Sequence, residues 1–358
     1  MDQGEPAVTG DGRIVLVGGY GAVGQVLAPL LGQWFPGRVV VAGRSLQRAR
    51  ELTGRVPNGL TAQRFDVYRP DEFDSILHNA DVVVMCVERA NEALARECLS
   101  RGIGYVDICA TAAVLDSIHR LHEVAVSNAA TAILSVGLAP GLTNVLARLC
   151  VDRLPTARSV DITVLLGAGG DHGSDSLRWT VEQLGQRIDR AAPPSPARVR
   201  TWLPGFGRRR THAFAFSDQH TLTSTLGIPV TTRICFDSAM LTRILFSLRA
   251  AGFFALVRRL GGNNILHAAL TRWRAGTDRF VIHAAANGAA EKRIWFAAAG
   301  RQECRATAIF TAQVVRRLLR AGMPPGVRHI DQLVEAEAFL AELPAESFTL
   351  HSGSAGIR

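Results

Sequence analysis

The stretch RIVLVGGYGAVGQVLAPLL (residues 13–31) decides how the rest of the chain is read. Arg13 to Val17 is a short β-branched run, the pattern of a strand covered on both faces. Gly18 to Gly24 interrupts it, and Gln25 to Leu31 then repeats apolar residues at helical spacing. Between strand and helix, Gly19-Tyr20-Gly21-Ala22-Val23-Gly24 fits G-x-G-x-x-G. The spacing has a steric logic. The first glycine makes the tight turn, the second lets backbone N–H groups approach a pyrophosphate, and the third lets the helix pack on the sheet. The helix N-terminus adds unpaired donors and a positive dipole end. The motif predicts a dinucleotide whose diphosphate lies against residues 19–24.

A second strand, Arg38 to Ala42, ends at Gly43-Arg44-Ser45, and Ser45 is well placed to cap a helix from Leu46 to about Leu52. An acid at this strand end would bond the ribose 2′-OH of NAD, whereas arginine accommodates a 2′-phosphate. The chain has no carboxylate there until Glu51, so Arg44, Ser45 and Arg48 predict NADPH. Asp66-Val67, ending a third strand, would lie beside the adenine. Cys86-Val87, ending a fourth, would run past the nicotinamide ribose, because strand ends of an open α/β sheet face its ligand crevice. Apolar runs at Ala62 to Val67, Asp81 to Val87, Tyr105 to Ile108 and Thr131 to Val136 alternate with helical segments at Asp71 to His78, Asn91 to Arg101 and Ala113 to Asn128. That alternation predicts a doubly wound parallel sheet.

Beyond Pro140-Gly141, a helix from Leu142 to Asp152 leads to a strand, Asp161 to Leu166, and then to the glycine-rich loop 167–173. Such a loop, bracketing Asp171-His172 just before a helix, suits a substrate-facing position. His172 is the candidate general acid, oriented by Asp171 or by Asp175. On the following helix, Arg178 can clamp a substrate carboxylate and Trp179 can seal the pocket; surface charge and core packing are the plain alternatives. Ala191 to Pro204 reads as a mobile connection or lid. Thr211 to Phe216 and Pro229 to Phe236 are strand-like, and Phe280 to Ala286 with Arg293 to Ala298 forms a hairpin turning at Asn287-Gly288. These predict a mostly antiparallel sheet. Met240 to Leu260 reads as one helix, either a basic amphipathic helix on a membrane or a core or dimer-interface helix. Ala306 to Arg320 is a further helix.

Composition narrows the function classes. Hydrophobic residues make up 47% and charged residues 20%, enough to bury large cores across 358 residues and two domains. No stretch approaches the roughly 20 uncharged apolar residues of a spanning helix. The start, MDQGEPAVTGDGR, lacks a secretory h-region. The six cysteines are scattered without a C-x-x-C pair, which argues for a reducing cytoplasm and no structural metal. Lys292 is the only lysine in a chain of net charge +9, and it falls at a turn, so catalysis by lysine is not expected. The arginines are spread out, with no nucleic-acid motif, so the expected partner is a small molecule, an anionic one suiting the net charge, rather than nucleic acid or a membrane surface.

The glycine turn, VVVMCV (82–87), RGIGYVDICAT (101–111), GLAPGLTNVLAR (137–148), GRQECRATAIFTAQVV (300–315) and GVRHIDQL (326–333) together resemble the saccharopine dehydrogenase-like superfamily of NAD(P)-dependent reductases. The resemblance implies a Rossmann domain over residues 1–137 and a second α+β domain, for substrate and dimerisation, over 138–305. It further implies C-terminal helices over 306–358 returning to the Rossmann domain. Several members reduce an imine; others reduce C=C bonds or belong to lipid metabolism. The expectation is an NADPH-dependent imine reductase acting on an amino-acid-derived or natural-product intermediate, homodimeric through the second-domain sheet. A C=C or ketone reductase of a polyketide or lipid intermediate and a non-catalytic NADP-binding sensor are the alternatives.

Overall fold

The computed structural model describes residues 11–57, 59–88, 91–170, 174–185, 198–260, 276–289 and 292–356. The chain divides into two compact units, Met1–Gly137 with Thr307–Leu333, and Leu138–Ala306 with Val334–Arg358.

The first unit is built on β1 (Arg13–Val17), β2 (Val39–Gly43), β3 (Thr61–Arg64), β4 (Ala80–Met85), β5 (Gly104–Asp107) and β6 (Thr131–Leu134). All pair in parallel in the order β3-β2-β1-β4-β5-β6, and β13 (Gly326–His329) adds a seventh strand beside β6. The connections are α1 (Gly24–Trp34), α2 (Leu46–Thr53), α3 (Phe73–Leu77), α4 (Asn91–Ser100), α5 (Ala112–His119) and α6 (His122–Ser127). Successive residues of β1, β2 and β4, such as Ile14, Val15, Leu16, Val82, Val83 and Val84, are wholly buried. Both faces of these strands are therefore covered, which is why they read as unbroken apolar runs. Strand order reverses between β1 and β4, so the carboxyl ends of these two strands flank the crevice where such sheets bind ligands.

The second unit carries β7 (Ala157–Leu166), β8 (Arg198–Leu203), β9 (Gly207–Ala213), β10 (Val230–Phe236), β11 (Arg279–Gly288), β12 (Lys292–Arg301) and β14 (Thr349–Gly356). Their order is β14-β12-β11-β7-β10-β9-β8. β7 and β10 run parallel and the other neighbours antiparallel, giving the mostly antiparallel sheet expected. Its helices include α7 (Leu142–Arg153), α8 (Ser174–Leu184), α9 (Ser217–Leu226), α10 (Ala239–Ala250) and α11 (Phe253–Arg259). A polar row crosses the middle of this sheet, where Thr163 pairs with His283 on one side and Arg233 on the other. Thr201 of β8 reaches Thr163 at 3.5 Å and Thr211 of β9 at 3.4 Å. Arg233, only 2% exposed, bonds Asp161 at 2.6 Å, and Asn287 donates to the same carboxylate at 2.8 Å.

Several boundaries differ from expectation, each for a local reason. Met240 to Leu260 is two helices, α10 and α11, bent by 62°. Gly252 between them is left-handed at φ 77°, a conformation that ends a helix. Ala113 to Asn128 likewise divides into α5 and α6. Arg198–Leu203, expected within a mobile connection, is strand β8 paired to β9. Asn287 is still in the ladder opposite Arg293, so the β11–β12 turn follows Gly288.

Of the carboxyl-terminal part, Thr307–Leu333 groups with the first unit. The division between units falls inside α12 (Glu303–Ala321), and β13 completes the parallel sheet. Residues 334–358 group instead with the second unit, because β14 forms a ladder with β12 from Thr349 to Gly356. α13 (Ala336–Ala341) goes with them.

Candidate dinucleotide site

The glycine turn is built as its spacing requires, with one shift. The left-handed residue is Gly18, at φ 78°, one position before the motif to which the sequence assigned the tight turn. Its N–H bonds Ala42 O at 2.8 Å, tying the turn to β2, and Val87 closes over it, leaving no room for a Cβ. Gly19 serves close packing, since a Cβ there would come 2.9 Å from Leu16 Cβ. Gly21 donates to Gly18 O at 2.8 Å. A Cβ on Gly24 would meet the Gly19 backbone at 2.5 Å, so α1 can dock on the turn only with glycine here. The first turn of α1 starts at Gly24, with Ala22 and Val23 leading into it, and helix starts leave N–H groups for an anion.

At the end of β2, Tyr20 organises the surroundings. Its hydroxyl accepts the Ser45 N–H at 3.1 Å, and the Arg48 guanidinium lies 4.7 Å from its ring centroid. The ring stands so close to β2 that a Cβ on Gly43 would be 2.5 Å from Cε1. Ser45 caps α2 as expected, its Oγ accepting from Arg48 N at 3.3 Å. Arg44 and Arg48 are exposed, and the first turn of α2 holds no acid. Glu51, a turn later, is engaged by Gln47 at 3.0 Å. Two guanidinium groups, a hydroxyl and a turn that only glycine can form are together suited to a phosphorylated dinucleotide.

The remaining strand ends are more varied. Asp66 Oδ1 accepts from Tyr68 N at 3.2 Å, shaping the turn after β3. Val67, expected beside an adenine, is buried in the core between sheet and helices. Cys86 is half-buried, and its surroundings push the thiol up to about 12, so it stays neutral.

Sequence reasoning passed over the carboxylates that follow. Glu88, just past β4, accepts N–H bonds at Oε1 from Ala110 at 2.9 Å and Thr111 at 2.7 Å, with the Cys109 thiol at 2.8 Å. Asp107, closing β5, accepts from Cys109 N at 2.7 Å, the Tyr105 hydroxyl at 2.8 Å and Asn91 Nδ2 at 3.0 Å. Burial raises Asp107 to about 6 although these donors pull it down. Burial and both carboxylates push the Cys109 thiol far up, which keeps it a donor to Glu88. The available signal was a carboxylate at or just beyond two successive strand ends, in VVVMCVE and GYVD.

Of the expected substrate-side residues, Asp171 and His172 lie outside the described residues. Arg178 is exposed on α8. Trp179 is only 8% exposed, its ring centroid 5.7 Å from that of Phe214 and 5.2 Å from that of Phe216, which is the packing alternative for this residue.

Residues 14–133, spanning β1 into β6, match the family model described as saccharopine dehydrogenase NADP binding domain. These residues are thereby identified with the NADP-binding domain of the saccharopine dehydrogenase family. Apo saccharopine dehydrogenase (L-Glu forming) from Saccharomyces cerevisiae shares the fold, with a TM-score of 0.61 over 96% of this chain and 100% of that one at 14% identity. GenD2 from gentamicin A biosynthesis, in complex with NAD, covers 96% of this chain and 95% of its own at 13% identity and a TM-score of 0.46. Among curated proteins, glutamyl-tRNA reductase of Hyperthermus butylicus is 34% identical over 95 residues. That match spans 26% of this chain and 21% of the relative's length. The saccharopine dehydrogenase-like assignment agrees with the glycine turn and with a nicotinamide dinucleotide as its ligand. The fold is that of the NAD(P)-dependent oxidoreductases of this group.

Proposed function

We propose that this saccharopine dehydrogenase-like protein is an NADPH-dependent oxidoreductase that reduces the C=N bond of an amino-acid-derived or natural-product imine. The observation that carries the cofactor choice is the end of β2, where exposed Arg44 and Arg48 stand with Ser45 and no acid in the first turn of α2. When bound, the dihydronicotinamide supplies a hydride to the C=N carbon, leaving NADP⁺ and the amine.

The chain's own residues bind, orient and handle the proton. The turn at Gly19, Gly21 and Gly24 receives the diphosphate, and Arg44 and Arg48 pair with the 2′-phosphate. His172, beside Asp171 in sequence, donates the proton to the imine nitrogen, and Arg178 pairs with a substrate carboxylate. Glu88 supports the imine reading. A protonated C=N nitrogen is a cation, and a half-buried carboxylate anchored by two backbone N–H groups next to the β4 end favours cationic over neutral acceptors. The neutral thiols of Cys86 and Cys109 agree with direct transfer and no covalent adduct.

Stopped-flow oxidation of bound NADPH against imines, enones and ketones tests the proposal. Turnover with imines is expected. Turnover with enones alone would overturn the C=N assignment, and no oxidation by any acceptor would leave a nucleotide-binding sensor.

A further inference from the structure

We propose that the outward face of α10 and α11 docks on an anionic lipid bilayer. Large apolar side chains concentrate there: Met240 is 71% exposed, Ile244 44%, Leu248 36%, Phe253 40%, Leu256 56% and Leu260 74%. On α10, Met240, Ile244 and Leu248 are spaced by four, so they form one stripe along a single face. The opposite face holds the helix on its own unit, with Thr242, Leu245 and Phe246 buried and Arg249 donating to Ala213 O at 3.2 Å. Phe254 does the same for α11. These exposed side chains are therefore not needed for packing within the described unit, and an exposed apolar face of this kind marks an interaction site.

Charge selects the occupant. Residues 239–260 contain Arg243, Arg249, Arg258 and Arg259 and not one acid. Arg243, Arg258 and Arg259 are exposed beside the stripe. A second copy meeting this face about a two-fold axis would bring arginines against arginines. Anionic headgroups instead complement them, while the guanidinium groups snorkel to the phosphate level and the apolar side chains enter the acyl boundary. The segment lies on the bilayer rather than crossing it. Among the described residues no single helix is long and apolar enough to span, and the two helices reach that length only together, across a 62° bend.

The test is flotation of the full-length protein with phosphatidylcholine vesicles and with vesicles containing phosphatidylglycerol, alongside light scattering to read its oligomeric state. Binding to the phosphatidylglycerol vesicles is expected, weakening as salt is raised. Arg258→Gln with Arg259→Gln should weaken it about tenfold or more, since each basic residue near an anionic surface contributes roughly fivefold. Leu256→Ser with Leu260→Ser should weaken it comparably, at an unchanged melting temperature because both side chains are already exposed. Equal binding to both vesicle types, no binding to either, or a dimer that dissociates on Leu256→Ser would each overturn the proposal.

Discussion

The two sheets use polar side chains in opposite ways. In the first unit the central strands β1, β2 and β4 are apolar through their middles, and polar groups such as Arg44, Glu88 and Asp107 gather at the carboxyl ends, held by backbone N–H groups or exposed. In the second unit His283, Thr163 and Arg233 stand in the middle of the sheet, almost wholly buried. A parallel sheet covered on both sides tolerates polar groups only at its ends, which is where its ligand crevice lies. The second sheet instead encloses its polar groups, so their removal should be felt first in stability. Damage to the first unit's turn should be felt first in nucleotide binding.

The largest expected effect comes from breaking the buried ion pair. Arg233→Met leaves Asp161 with Asn287 and one-third exposure, and should cost about 2–3 kcal/mol, below the roughly 3–5 kcal/mol of fully buried pairs. Denaturant unfolding with an NADPH titration checks it; a loss of affinity at unchanged stability would reverse the contrast between the units. Gly24→Ala comes next. Its Cβ must push into the Gly19 backbone, costing about 1–3 kcal/mol, and NADPH affinity should fall more steeply than unfolding free energy.

Acid should act on both units through buried imidazoles. Burial lowers His283 in the second unit and His329 in the first to about 4, with Arg293 also lowering His283 and His119 lowering His329. A folded value below the ordinary 6.5 means the unfolded chain binds the proton more readily between 6.5 and 4. Stability is therefore complete above the ordinary value and falls on acidification through that window, by about 1–2 kcal/mol per residue at pH 5. Asp107 and Asp218, raised to about 6 by burial, act in the opposite sense below 6. Melting temperatures of His283→Leu and wild type at pH 7 and pH 5 isolate the imidazole, and the variant should show the shallower loss. The smallest effect belongs to the exposed cofactor edge. Arg44→Asp should weaken NADPH about tenfold, as expected from roughly 1–2 kcal/mol, and leave NADH unchanged; calorimetric titration with both nucleotides decides it.

Legibility followed the range of the interactions involved. The glycine turn, the Ser45 cap and the β1–β6 alternation depend on residues near in sequence, so their spacing exposes them. Glu88 could have been read as a carboxylate just past a strand. Its anchoring by Ala110 and Thr111 joins residues more than twenty apart and has no local pattern. Trp179 reads from sequence as a pocket residue with core packing as the plain alternative, and the packing of Phe214 and Phe216 against it has no signature at helical spacing. The stripe on α10 shows the same limit. Its amphipathic period is plain from Met240 to Leu260, but burial of Leu245 and Phe246 and exposure of Ile244 and Leu248 follow from which face meets β9 and β10.

By itself, then, the amino-acid order determined the parallel dinucleotide fold and the guanidinium groups at the second strand end, because steric demands on glycine and periodic burial act over a few residues. Tertiary structure alone decided three things: where residues 334–358 belong, which polar groups the second sheet encloses, and which helix face is left to solvent. Each depends on partners brought together across long loops, and the free energy of such contacts is set by packing rather than by neighbours in the chain.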